Sequence, residues 1–348
     1  MGAPTRDEPL AADRAWAFDT VRSVSRTFAL SIDLLEEPVA SWICTGYLLC
    51  RTADTVEDEP SIPPERRADL LETYSAVLAA EEDVAAASFL SAATDAGPAD
   101  GGDDWAALAD TDRALRLLDS FDPEVQAAMQ GVIREMADGM AGFLRRHADS
   151  GGLRLETVEE LEEYCWYVAG TVGKLLTDLL GCHGAIGDPD PEDARAFALL
   201  LQLVNIAKDV RGDFESEDNV YLPGEWLAEE GVDHAAVGDP SATPAVARVV
   251  GRVVDRAAGY APGARRYLRT LPEDEAGLLE AAGLPYLLAL GTLRELRGRE
   301  REAVVEGGVK LARPEVEALV AEMRGGVTQA ELGRLAEQVR AEPYATDR

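Results

Sequence analysis

Two apolar helical runs, each ending in aspartates one turn apart, constrain this chain more than any other feature. In Trp42-Ile-Cys-Thr-Gly-Tyr-Leu-Leu-Cys-Arg-Thr-Ala-Asp-Thr-Val-Glu-Asp, the polar residues Tyr47, Arg51, Asp54 and Asp58 fall at offsets 0, 4, 7 and 11. That spacing is one continuous helix face. In the run from Leu199 to Asp213, Gln202, Asn205, Asp209 and Asp213 fall at offsets 0, 3, 7 and 11. Carboxylates at the end of a buried run are costly unless they are solvated or bind a cation. In so acidic a chain one such pair could be a solvated helix end. Two matching stripes point instead to facing helices whose acids hold hard divalent cations. Mg²⁺ suits them best, because it takes one or two carboxylates, keeps several waters and completes its shell with substrate phosphates.

The acidity also removes partner classes. The net charge is −32, from 65 acidic and 33 basic residues. Binding a phosphate backbone needs a basic footprint, so nucleic acid is not an expected partner. With 47% apolar residues, the chain is not a disordered acidic segment. A protein of a high-salt cytoplasm fits, where screening tolerates such self-repulsion. The only lysines are Lys174, Lys208 and Lys310, each in a stretch of interest. Cys44, Cys50, Cys165 and Cys182 lie in apolar helical contexts without metal-type spacing and read as buried free thiols. The polar N-terminus shows no signal peptide, and no window of about 18 apolar residues is present. The expectation is a soluble, cytoplasmic protein.

Along the chain, residues 13–35 have helical spacing and contain Ser25-Arg26-Thr27-Phe28, readable as a helix end or as a phosphate-binding cluster. Pro38 opens the helix of the first stripe, and Pro64 opens one running to about residue 83. Residues 92–104 read as an acidic surface loop, and 105–148 as two helices with Met129, Met136 and Met140 as core filler. In Tyr164-Cys-Trp-Tyr-Val-Ala-Gly-Thr-Val-Gly-Lys, predicted within one helix over 157–182, Tyr164, Val168 and Val172 share a face. Two glycines there cost about 1 kcal/mol each relative to alanine. They imply close approach by another helix or by a long hydrocarbon against a flat wall, with Tyr164 and Trp166 as aromatic surface. Residues 215–223 read as a loop, 283–296 as a central apolar helix, and Gly307-Gly-Val-Lys310-Leu-Ala-Arg313 as a basic turn. Period-two alternation is nearly absent, as are GxGxxG, P-loop and HExxH patterns. The expected fold is all-α, a single large helical bundle around a central apolar cavity spanning residues 1–348.

Opposed acid pairs over an apolar cavity suit the ionisation of an allylic diphosphate. Mg²⁺ stabilises the departing pyrophosphate, Arg26, Arg51 and Lys208 add positive charge, and a dry pocket protects the carbocation. The stretches Ser25-Arg-Thr-Phe, Tyr47-Leu-Leu-Cys-Arg-Thr-Ala-Asp-Thr-Val-Glu-Asp, Tyr164-Cys-Trp-Tyr-Val-Ala-Gly-Thr-Val-Gly and Gln202-Leu-Val-Asn-Ile-Ala-Lys-Asp resemble the signatures of the squalene/phytoene synthase family. The likeness runs over about residues 20–315. Asp-Thr-Val-Glu-Asp, Leu-Pro-Tyr-Leu-Leu-Ala-Leu-Gly-Thr-Leu and Gly-Val-Lys-Leu are closer to its squalene-forming branch.

The resemblance implies head-to-head joining of two farnesyl diphosphates through presqualene diphosphate, then reduction to squalene by NADPH. It implies Mg²⁺ held by Asp54, Glu57, Asp58, Asp209 and Asp213. Tyr164 would stand at the reacting carbons as proton acceptor or cation stabiliser. Arg26, Arg51, Lys208 and Lys310 would meet diphosphate or NADPH phosphates. Ser25, Phe28, Tyr47, Val168, Gln202 and Asn205 would line the substrate channels. Alternatives are a phytoene or dehydrosqualene synthase without reduction, and a catalytically inactive scaffold of the same fold. The chain departs from the family pattern at Lys208, where arginine is usual, at Gly212 before Asp213, at Asp218-Asn219 where an arginine is common, and at Ala312 after Lys310. The membrane anchor of eukaryotic relatives is not expected, so membrane contact would be peripheral, and the oligomeric state expected is monomer.

Overall fold

A computed structural model describes residues 7–80, 85–184, 189–273, 275 and 277–344. The helices in order are α1 (Asp7–Val24), α2 (Arg26–Ile32), α3 (Val39–Glu57), α4 (Pro64–Leu78), α5 (Ala86–Ala96), α6 (Gly102–Ala109), α7 (Thr111–Asp119), α8 (Pro123–Arg146) and α9 (Val158–Cys165). They continue with α10 (Thr171–His183), α11 (Pro191–Ser216), α12 (Gly224–Glu229), α13 (Thr243–Leu268), α14 (Leu278–Leu296), α15 (Glu300–Val305), α16 (Arg313–Arg324) and α17 (Gln329–Ala341). Among the described residues there is no strand, only an isolated bridge between Arg154 and Val220. The all-α expectation holds. Among the described residues, no helix is long and apolar enough to cross a membrane.

Local chemistry explains the ends that matter. Pro191 is the first residue of α11, where a missing N–H costs nothing, and the Asp190 side chain caps it by accepting from Glu192 N. Helix α3 buries 15 of its 19 residues. The four left partly uncovered are Ile43, Tyr47, Arg51 and Asp54. Three of these are the predicted stripe, so the polar face is the face turned toward the site. Around α3 pack α1, α4, α6, α7, α8 and α10; around α11 pack α10, α13, α14 and α15.

The structure corrects several boundaries. The 13–35 run breaks at Ser25, whose hydroxyl caps α2 by accepting from Phe28 N at 3.3 Å. Helix α4 stops at Leu78, and residues 81–84 of its predicted tail lie outside the described residues. The acidic loop over 92–104 is mostly helical: α5 runs to Ala96 with Phe89 and Ala93 buried, and α6 begins at Gly102. Asp103 and Asp104 are the first turn of α6, where the helix dipole favours carboxylates. Residues 105–148 hold the rest of α6 together with α7 and α8, three helices rather than two. Met129, Met136 and Met140 are core, as expected, whereas Cys182 is only partly buried.

The predicted helix over 157–182 is interrupted between α9 and α10 by a π turn over Trp166–Gly170. A π turn inserts one residue into the helical ladder and is common at functional sites. The glycines have different reasons. A Cβ on Gly170 would meet the Trp166 ring, while Gly173 lets α11 approach, with Ala198 Cβ 3.2 Å from where its own Cβ would lie.

Candidate active site

A cavity of about 290 Å³ opens between α2, α3, α10, α11 and α14. Its polar wall carries Tyr47, Asp54, Gln202 and Asn205, and its deeper wall carries Leu175, Leu179, Leu271, Leu278 and Pro285. Val168, Val172 and Gly173 line it as well, so the helix-packing glycine also thins the cavity wall. Phe28 and Tyr47 stack at its edge with ring centroids 4.1 Å apart.

The two aspartate stripes meet at the polar end, with carboxyl groups desolvated and mutually repelling. Burial raises Asp54 to about 7, against Arg51, with Asp58 and Asp104 adding to the rise. The Asp54 side chain keeps 26% exposure, but it opens onto the cavity. Burial raises Asp58 to about 6 despite Arg51 and Arg67. Across the gap, burial raises Asp213 to about 8, with Glu217, Asp209 and Asp58 adding repulsion. Glu217 is likewise pushed up to about 8 by burial and then by Asp58. The mutual influence of Asp58 with Asp213 and Glu217 places both ladders in one electrostatic cluster.

Glu57 is 2% exposed. Burial first, then Asp58, Asp54 and Glu217, hold its carboxyl well above the usual range. Its Oε1 has no hydrogen-bond partner, while Oε2 accepts from the Tyr164 hydroxyl at 3.4 Å. The Tyr164 and Tyr221 hydroxyls lie 3.2 Å apart, and their rings stack at 4.9 Å. Asn219 Nδ2 donates to Tyr221 at 3.0 Å and to Glu217 Oε2 at 3.3 Å. Burial first, then Glu57, Tyr221 and Asp58, push the Tyr164 phenol well above its ordinary value. Its hydroxyl is therefore held neutral, as a hydrogen-bonding group within the acid cluster. Arg67, 3% exposed, sits behind the acids and donates to the Glu57 backbone carbonyl.

An orphaned buried carboxylate oxygen beside acids that resist ionisation fits a cation in this gap. Among the described residues no three acids already converge into a metal cage.

The remaining sequence candidates separate. Arg51 does not point freely at the site: Asp104 grips its Nε and Nη2 at 2.9 Å each. Lys208 pairs with its neighbour Asp209, and its backbone carbonyl accepts from Gly308 N at 2.9 Å. That bond docks the 307–310 turn onto the acid end of α11, leaving Lys310 exposed beside it. Arg26 and Lys310 are exposed and have no ion-pair partner among the described residues. Trp166 is not cavity wall; its Nε1 donates to Glu135 at 3.0 Å and Arg195 covers its ring. Tyr164 belongs to the acid cluster and not to the apolar lining. Sequence reading missed Asp104, Arg67, Glu217, Asn219 and Tyr221. Glu217 had a signal, since it continues the Asp209, Asp213 spacing by four.

The family model for squalene/phytoene synthases matches residues 21–315. The chain belongs to that family. A squalene synthase of Eremothecium gossypii is 27% identical over 315 residues, covering 88% of this chain and 67% of that protein. A 15-cis-phytoene synthase of Enterobacter agglomerans is 34% identical over 149 residues, 43% of this chain and 48% of that protein. Among solved structures, a ligand complex of TcSQS superposes with a TM-score of 0.78 at 24% identity. It covers 97% of this chain and 94% of that one, and it shares the all-α fold. The matched region thus spans about half to two thirds of these two relatives' own length.

Proposed function

We propose that this family member is a squalene synthase, joining two farnesyl diphosphates head to head through presqualene diphosphate and reducing the product with NADPH. The observation that carries the reading is the meeting of both aspartate ladders over an apolar cavity. Asp54, Glu57, Asp58, Asp209 and Asp213, joined by Glu217, would hold Mg²⁺. When bound, Mg²⁺ supplies Lewis-acid stabilisation of the departing diphosphate.

The chain's own groups do the rest. Arg51 offers the free end of its guanidinium, and Lys208 offers its ammonium, to diphosphate oxygens. The leucine-lined depth takes the prenyl chains and excludes water from the cation left behind. The stacked Phe28–Tyr47 pair presents π faces from the cavity wall, which favour positive charge. Tyr164 and Tyr221, neutral and hydrogen-bonded, orient Glu57 and Glu217 through the network with Asn219. Arg26 and Lys310, exposed and unpaired among the described residues, are the cations available to NADPH phosphates, and NADPH would supply the hydride. The acidic surface suits a high-salt cytoplasm.

The test is incubation with farnesyl diphosphate and Mg²⁺ at high salt, with and without NADPH, followed by lipid extraction. Squalene that appears only with NADPH supports the reading, and its absence under all conditions overturns it. A second reading is a phytoene or dehydrosqualene synthase without reduction. It draws on the likeness to a phytoene synthase and on Asn219 and Ala312 where basic residues are usual. An unreduced hydrocarbon product whose yield does not depend on NADPH, or preference for geranylgeranyl diphosphate, would select it.

A further inference from the structure

Resting on the reading of this site as a diphosphate binder, we propose that Asp104 is a positioning residue that aims Arg51 at the substrate. A guanidinium has five N–H donors in a rigid fork. Asp104 Oδ1 accepts from Arg51 Nε and Oδ2 from Nη2, both at 2.9 Å. This pairing takes the side edge of the fork and uses two donors. The three others lie toward the Nη1 end, and Nη1 stands 3.9 Å from Asp54 Oδ2 on the cavity wall. The end of the fork is therefore left for diphosphate oxygens while its side is clamped.

The clamp itself is well held. Next to Asp104, Trp105 Nε1 donates to Glu59 Oε2 at 3.2 Å, beyond the last acid of the α3 stripe. Its ring lies so close to Gly97 and Gly101 that neither position has room for a Cβ. Just past α6, at the first residue of α7, Thr111 Oγ1 and Thr52 Oγ1 are 2.9 Å apart. The stretch from Trp105 to Thr111 is thus tied at two points, to Thr52 of α3 and to Glu59 just beyond it. Without Asp104, the flexible Arg51 side chain would be drawn among Asp54 and Asp58, whose charge favours it. An arginine folded onto those carboxylates would neutralise the acids meant for a cation and withdraw its donors from the phosphate. Holding the fork by its side edge prevents both losses.

The test uses Mg²⁺ with inorganic pyrophosphate by titration calorimetry, alongside steady-state kinetics with farnesyl diphosphate. Asp104→Ala should raise the Kd for pyrophosphate and the KM for farnesyl diphosphate by about tenfold, the loss of roughly one well-placed charge-assisted hydrogen bond, with kcat within about twofold. Asp104→Glu should recover part of that loss. In an Arg51→Ala background, Asp104→Ala should change neither constant, which a merely structural role would not predict. Asp104→Asn, which keeps the packing, covers the case in which the alanine variant fails to fold. Equal loss in the Arg51→Ala background, tighter binding without Asp104, unchanged constants, or a wild type that does not bind pyrophosphate would each overturn the assignment. Wild-type protein that binds pyrophosphate in an Asp104-dependent way yet never turns over prenyl diphosphate would sink the proposed function and leave the positioning role standing.

Discussion

Neutralising Asp213 should make the metal-free protein more stable while removing its activity. Burial, then Glu217, Asp209 and Asp58, lift this carboxyl from 3.8 to about 8. Between those values the folded protein binds more protons than the unfolded chain, so stability falls as pH rises across that window. Each tenfold change in proton affinity is worth about 1.4 kcal/mol, which sets an upper bound on the order of 5 kcal/mol for keeping Asp213 in its site at pH 8. The side chain is partly exposed, and the repulsion is shared among neighbours that would readjust. A net gain of about 1–2 kcal/mol is therefore expected for Asp213→Asn. For a chain this long, that is roughly 1–3 °C in Tm. The assay is thermal unfolding in EDTA at high salt from pH 4.5 to 8.5, with exposed Glu337→Gln as a control for total charge. The gain should grow with pH. Added Mg²⁺ should stabilise wild type more than the variant, as a ligand of the folded state does, and so narrow or reverse the order. If Asp213→Asn unfolds at or below the wild-type temperature in EDTA, or matches Glu337→Gln, the idea of a strained acid cluster awaiting a cation is wrong.

Tyr164→Phe deletes the hydroxyl that joins Glu57 to Tyr221; turnover should drop about 10- to 100-fold with the fold intact, and kinetics paired with circular dichroism decide. Arg67→Met leaves the Glu57 carbonyl and the acid cluster without their buried cation. It should lower stability by about 3 kcal/mol in urea unfolding, and a loss under about 1 kcal/mol would contradict its assigned role. At Asp13, 4% exposed, burial raises the pKa, but hydrogen bonds and charge from Arg116 and Arg113 together bring it below 3.8. Its stabilisation is present above pH 3.8 and fades as pH falls through its folded value. The stability gap between wild type and Asp13→Asn should close below about pH 3.8, and a gap constant from pH 2.5 to 6 would show that the ion pairs do not carry it.

Helix content, the stripes and the cavity-lining candidates Phe28, Tyr47, Val168, Gln202 and Asn205, though not Ser25, were legible in the residues because helical periodicity is a local property. Offsets of three and four place Tyr47, Arg51, Asp54 and Asp58 on one face whatever packs against it. What the spacing could not reveal was which other segment arrives. Residues 92–104 look like solvent because Gly, Ala and Asp dominate them, yet Trp105 ties α6 to Glu59, just beyond α3, and delivers Asp104 to Arg51. The π turn at Trp166–Gly170 was likewise hidden, since its pattern differs from an α-helix by a single inserted residue. Through it Tyr164 lies with the acids while Val168 and Val172 face the cavity.

Sequence alone therefore determined the all-α class, the two acid ladders and, through the family's motifs, the chemistry to test. Tertiary structure decided the identities that depend on distance: the joining of Asp58 to Asp213 and Glu217, the neutral Tyr164–Tyr221 pair, the buried Arg67 and the Asp104 clamp. The physical reason is range. Helix faces follow from neighbours three or four residues away, whereas desolvation and charge repulsion depend on residues brought together from separate elements, up to more than a hundred positions apart.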